Sequence, residues 1–232
     1  MCARYQTPAQ SAVERYWSLV EPLWHYQQSW RVLPTDPVPI VLQLAGVPTG
    51  RMLRWDLIPF RNHGEPTGRV LINAKSENLS DNYYWQGPWE RGQRCIFPMA
   101  GFYEPHRHAD GRKEPFYVHL ADREIFGVAG IWDRSFRPDG TPVFSCALIT
   151  TPANELLARV HNEKLRMPAV LREEHHEAWL RGDAQQARSA LVPYPPDAMV
   201  AWQVSRRLYA IKTPDDATLI APVAEGQGKV AK

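Results

Sequence analysis

Cysteine at position 2 is the residue of this chain with the most chemistry to offer. An initiator methionine is removed when the next side chain is small, and cysteine qualifies. Loss of Met1 leaves an α-amine and a thiol on one residue, a 1,2-aminothiol. Their unperturbed pKa values are roughly 7.7 and 8.5, so both groups have a nucleophilic fraction at neutral pH. An aldehyde meets such a pair in two steps. The amine condenses to an imine, and the sulfur then adds to the same carbon and closes a five-membered thiazolidine. Condensation needs an acid to expel water from the carbinolamine and a base to move protons, tasks for one carboxyl and one imidazole, with no metal called for. Alone, a small residue at position 2 is commonplace and says little.

Other segments supply context. Leu71 to Leu79 reads LINAKSENL, Arg94 to Pro105 reads RCIFPMAGFYEP, Ser145 to Asn154 reads SCALITTPAN, and Val160 to Leu171 reads VHNEKLRMPAVL. With the opening MCAR, the stretch RMLRWDLIPF (Arg51 to Phe60) and the late Val204-Ser205, they stand in a distinctive order. One such motif would be worthless; the ordered set is specific. It resembles the SRAP family, the abasic-site processing proteins that carry an SOS-response-associated peptidase domain. The resemblance covers about residues 1 to 222, with 223 to 232 expected to be a flexible polar tail.

The resemblance implies roles position by position. Cys2 matches the nucleophile, Asn73 the amide that orients the amine and the opened sugar, Glu104 the general acid/base, and His161 a proton-transfer group near the sugar. Arg4, Lys75 and Arg166 match basic positions that hold phosphates, and Trp55 an aromatic that wedges or stacks against bases. The implied substrate is a ring-opened abasic deoxyribose in single-stranded DNA, captured as a covalent thiazolidine, with strand cleavage by β-elimination as a side path. No cofactor and no metal are implied, and a cytoplasmic monomer is expected. A different class stays open: an amino-terminal-nucleophile cysteine peptidase or amidohydrolase, in which the Cys2 thiolate attacks an amide and its α-amine is the base. A DNA-binding protein without catalysis is the third possibility.

Each residue also has a plainer structural reading. Glu104 suits a surface carboxylate, His161 a partner of a helix C-terminus, Asn73 a turn, and Trp55 a core ring. Arg107, Arg112 and Lys113 suit a basic rim or a solvated loop. The chain departs from the family pattern at Ala3, Asp56, Lys75, Asn78 and Pro105, and in the length of HNEKLRMP, but at none of the four catalytic positions.

Elements must bring these residues together. Ala9 to Trp24 follows Thr7-Pro8 and reads as a helix, with Val13, Tyr16, Trp17 and Val20 on one face. Strands are expected over Arg54 to Ile58, Val70 to Asn73, Arg94 to Phe97, Phe116 to Leu120, Ile125 to Trp132 and Val143 to Thr150. Thr151-Pro152 reads as a helix N-cap followed by proline at the first helical position, and Leu171 to Leu180 as a helix stopped by Gly182. The class is α+β, one domain with a mixed, barrel-like sheet and flanking helices.

Bulk composition fits that reading. Of 232 residues, 44% are hydrophobic and 22% charged, ordinary for a globular chain. The net charge of +2 neither requires nor excludes nucleic acid, since phosphate binding depends on local clusters. Three cysteines without CxxC spacing support neither a disulfide framework nor a cysteine-rich zinc site. The start MCARYQTPAQ lacks the pattern of a secretory signal, and no apolar run is long enough to span a membrane.

Overall fold

The computed structural model describes residues 2–19 and 24–223. In chain order the elements are β1 (Tyr5–Gln6), α1 (Gln10–Tyr16), β2 (Pro37–Leu44), β3 (Val47–Trp55), β4 (Asn73–Lys75), α2 (Gln86–Glu90), β5 (Arg94–Met99), β6 (Gly101–Arg107), β7 (Lys113–Leu120), β8 (Phe126–Phe136) and β9 (Pro142–Pro152). There follow α3 (Glu155–Val160), β10 (Arg166–Pro168), β11 (Val170–Leu171), α4 (His176–Arg181), α5 (Ala184–Ser189) and β12 (Met199–Gln203), with short 3₁₀ turns between. The fold is α+β, as the sequence indicated.

Strands β3, β2, β5, β8 and β9 pair in succession, and β9 returns to β3, which closes a five-stranded barrel. β9 is its pivot. It runs antiparallel to β8 and β10 and parallel to β3 and β4. A second sheet, β1-β6-β7-β12, packs beside the barrel. Alternation along β2 divides the core: Val38, Ile40 and Leu42 point into the barrel, while Val41 joins the outer cluster with Trp89 and Trp179 beneath the helices. The β2–β3 turn places Ala45 and Gly46 at φ of 48° and 79°, the left-handed pair that a tight hairpin requires.

Three local expectations fail, two of them to tertiary pairing. Thr151 and Pro152 do not begin a helix. They end β9, because Thr150 to Pro152 pair with Pro168 to Arg166 on β10. The helix starts two residues later, where the Asn154 side chain accepts from Leu157 N at 2.8 Å and caps α3. Asn154 Nδ2 also donates to Tyr194 O at 2.7 Å. The stretch from Leu171 to Leu180 is broken: Leu171 belongs to β11 against β8, a 3₁₀ turn follows, and only His176–Arg181 is α-helical before Gly182. The first helix covers Gln10–Tyr16 and ends as Ser18 turns left-handed, with Val20 outside the described residues. Of the strand candidates, Arg54 to Ile58 is the tail of β3 followed by loop, and Asn73 opens β4 rather than closing a strand. β2, β6 and β12 had not been expected. The tail from residue 224 onward lies outside the described residues, and among those described no helix is long and apolar enough to cross a membrane.

Candidate active site

β1 is the edge strand that fixes the amino terminus. Tyr5 and Gln6 pair with Phe102 and Gly101 on β6, and Arg4 O accepts from Tyr103 N at 3.0 Å. Continuing that antiparallel register brings Ala3 level with Glu104. Asn73 arrives from the other side, as the first residue of β4. The excursion from β3 to β4 is tied at its neck by the Asp56 carboxylate, which accepts from Leu71 N at 2.8 Å, and by Leu57 N donating to Leu71 O. Asp56, where the family pattern has glycine, is thus 3% exposed and structural. From this anchored position Asn73 Nδ2 donates to Cys2 O at 2.7 Å, across 71 positions of sequence. Its Oδ1 is buried and accepts no hydrogen bond from any described residue.

His161 caps the C-terminal end of α3, and its N–H donates to Leu157 O. The chain then reverses through Leu165, at φ 53°, into β10. The added length of HNEKL forms this loop and delivers Arg166 O to within 3.0 Å of His161 Nδ1. A carbonyl can only accept, so Nδ1 carries the proton and Nε2 is the basic nitrogen. The same Nδ1 lies 3.4 Å from Glu104 Oε2, and both side chains are almost wholly buried. Burial pushes the Glu104 carboxyl up to about 8 and holds the His161 imidazole down to about 4. Although the separation is within ion-pair range, at neutral pH this contact is mostly between a neutral acid and a neutral base. The Cys2 thiol is fully buried, donates to Arg4 O at 3.4 Å, and has its pKa raised by burial and then by the charge of Glu104.

Cys2, Asn73, Glu104 and His161 therefore come from β-structure and a helix cap far apart in the chain and converge on one place. A cavity of about 100 Å³ opens beside them, bounded by Arg4, Tyr103, Glu104, Pro105, Leu208 and Tyr209. The Arg4 guanidinium sits 5.0 Å from the Tyr209 ring centre. Tyr209 carries no motif that would mark it in the sequence.

The other four expected contacts fare differently. Lys75 is exposed on β4, with Thr150 as its neighbour on β9. Arg166 is 9% exposed, and its guanidinium is already engaged by the Glu77 carboxylate, Thr150 O and Thr150 Oγ1. Arg166 in turn holds Glu77 well below the usual carboxylate range. Trp55 is wholly enclosed, edge-on to Tyr5, and donates Nε1 to Ile72 O at 3.0 Å. Its ring is core in this structure and offers no face to a base. Arg107 and Lys113 share Glu163, and Arg112 pairs with Asp110, so the rim is largely neutralised.

Comparison with known proteins gives this arrangement a context. The chain is 34% identical over 187 residues to the abasic site processing protein YoqW of Bacillus subtilis (strain 168), spanning 79% of this chain and 82% of that protein. It is 26% identical over 204 residues to the abasic site processing protein HMCES of Gallus gallus, spanning 78% of this chain and 59% of that one. A crystal structure of a protein from Bacteroides thetaiotaomicron superimposes with a TM-score of 0.85 at 26% identity, covering 96% of this chain and 100% of that chain. The family model for SRAP, SOS response associated peptidase, matches residues 1–211, and the chain belongs to that family.

Proposed function

We propose that this protein processes abasic sites by capturing the ring-opened sugar of single-stranded DNA on Cys2, after removal of Met1, as a thiazolidine. The reading is carried by one observation: Asn73 Nδ2 holds the Cys2 carbonyl beside a buried carboxyl and imidazole 3.4 Å apart. Names of the relatives support the substrate; the residues support the chemistry.

His161 Nε2 takes the proton of the anomeric hydroxyl and delivers it to the ring oxygen as the C–O bond breaks, so the aldehyde opens and the imidazole returns to its neutral form. The Cys2 amine, one of its hydrogens bonded to Asn73 Oδ1, adds to that carbon, and a proton passes from the nitrogen to the new alkoxide to give the neutral carbinolamine. The Glu104 carboxylic acid protonates the carbinolamine hydroxyl, water leaves, and an iminium and a Glu104 carboxylate remain. The Cys2 sulfur attacks the iminium carbon as its proton returns to Glu104. The products are the thiazolidine and one water, with Glu104 again neutral. A thiol of raised pKa is no obstacle here, because it gives up its proton only when the carboxylate beside it has just formed. A carboxyl kept neutral near pH 7 is the acid that such a dehydration requires. Because an iminium also acidifies the adjacent carbon, elimination of the 3′ phosphate is a side path. Lys75, exposed near this edge, is the phosphate contact we favour.

Incubation with a single-stranded oligonucleotide carrying one abasic site should give a heat-stable adduct. Its intact mass should equal the protein without Met1 plus the oligonucleotide minus one water. Cys2→Ala should give none. An equal yield of heat-stable adduct from Cys2→Ala, or an adduct that retains Met1, would overturn the mechanism.

A further inference from the structure

A second and larger cavity, about 430 Å³, lies on the outer face of the β1-β6-β7-β12 sheet, apart from the residues placed in the mechanism. Its wall is aromatic. The Tyr117 and Trp202 ring centres are 5.2 Å apart, and His119 is 5.1 Å from Trp202 and 5.8 Å from Tyr117. The sequence makes room for this wall at Gly101, where a Cβ would come within 2.2 Å of the Tyr117 ring. Gly101 pairs with Gln6, and the Tyr117 hydroxyl donates to Gln6 Oε1.

Gln6 is 5% exposed and lines the cavity. With Oε1 committed to Tyr117, its Nε2 makes no hydrogen bond to any described residue, which leaves a nearly buried amide donor at the cavity wall. Trp202 Nε1 is spent on Ile220 O. Among the described residues no lysine or arginine lines the space, and Glu124 does. Burial lowers the pKa of the His119 imidazole, favouring its neutral form. The volume lies in the range of small-molecule sites.

We propose that this cavity binds a neutral planar heterocycle with a ring carbonyl, a free pyrimidine base such as thymine or uracil, stacked on the Trp202–Tyr117–His119 wall with its carbonyl accepting from Gln6 Nε2. Stacking takes any flat ring, the amide donor selects a carbonyl, and the missing cations select against phosphate. The site is independent of the capture of abasic sugar.

The full chain would be titrated with thymine, uracil and thymidine 5′-monophosphate, by calorimetry and ligand-observed NMR. The free bases should bind saturably with Kd of about 1 mM or tighter, as suits ligands of their size. The monophosphate should bind at least about tenfold more weakly. Gln6→Leu should weaken the bases about five- to tenfold, the worth of one neutral hydrogen bond. Ala12→Trp, on the half-buried helical side of the cavity, should abolish binding. Ala12→Trp should melt and capture abasic oligonucleotide as wild type does; Gln6→Leu leaves the Tyr117 hydroxyl without its acceptor and should melt lower, so its affinity is read well below its melting temperature. No saturation by either base up to 10 mM, undiminished binding in Ala12→Trp, or preference for the monophosphate overturns the proposal.

Discussion

Replacing Glu104 by glutamine keeps shape and volume but removes the titrating proton, and its effect on stability can be worked from the site. In the folded protein burial holds this carboxyl up to about 8, against roughly 4.3 for an unfolded chain. A raised carboxylate pKa means that the folded state binds the proton more tightly, so this group favours folding at low pH. Its contribution is lost as pH rises from the unfolded toward the folded value. Between pH 6.5 and 8 the folded state holds most of a proton more than the unfolded state here, which integrates to a loss of about 2 kcal/mol. His161, held down to about 4, is neutral in the fold throughout this window but half protonated in the unfolded chain at pH 6.5, so it adds a fraction of a kcal/mol as pH rises, a gain that both proteins share and that cancels in their comparison. Urea unfolding of wild type and Glu104→Gln at pH 6.5 and pH 8 isolates the difference. Wild type should lose about 2 kcal/mol more than the variant. Over the same range, capture by wild type should rise as the amine deprotonates, then fall as Glu104 ionises. The variant should be about 10²- to 10⁴-fold slower and lack the falling limb. Equal pH dependence of stability in the two proteins would mean that Glu104 is ionised in the fold, and the acid assigned here would be wrong.

Asn73→Ala removes the hydrogen bond to Cys2 O and leaves that carbonyl unheld; a loss of about 1–3 kcal/mol predicts capture roughly 5- to 150-fold slower, read as single-turnover adduct formation. Trp55→Ala should act through folding, costing about 3–5 kcal/mol of stability by denaturant titration. If it instead melts as wild type and only binds DNA more weakly, the enclosed position of this ring does not describe the protein in solution. Lys75→Met should weaken binding to single-stranded DNA uniformly across sequences and lower the salt slope of log K by about 0.7; an unchanged slope removes Lys75 from the phosphate contacts.

The sequence carried some of this better than the rest. β-rich runs bounded by turn residues foretold much of β5, β7, β8 and β9; β5 is buried on both faces, with Cys95, Phe97 and Met99 in the barrel and Ile96 in the outer cluster. It also held a warning about Trp55: Leu53, Trp55 and Leu57 are spaced two apart and all are buried, a strand's inward face carried into the following loop. β2 escaped because Pro37 and Pro39 disguise a strand that nevertheless pairs along its whole length with β3. At Thr151-Pro152 local cap chemistry pointed to a helix, and pairing with β10 overrode it. The four residues brought together at the terminus were legible only through ordered motifs. No periodicity relates Cys2 to Asn73, and nothing local foretells that Arg4 will lie under Tyr209.

Asn154 gives the molecule an unexpected point of vulnerability. Its side chain starts α3 at one end, and the imidazole assigned to proton transfer ends that helix about 9 Å away. The amide also clasps the Tyr194 carbonyl, so it sets both where this short rod begins and which way it aims. A change at Asn154 would swing a lever whose far tip is His161, and would register as a fault of chemistry though it touches no reacting atom.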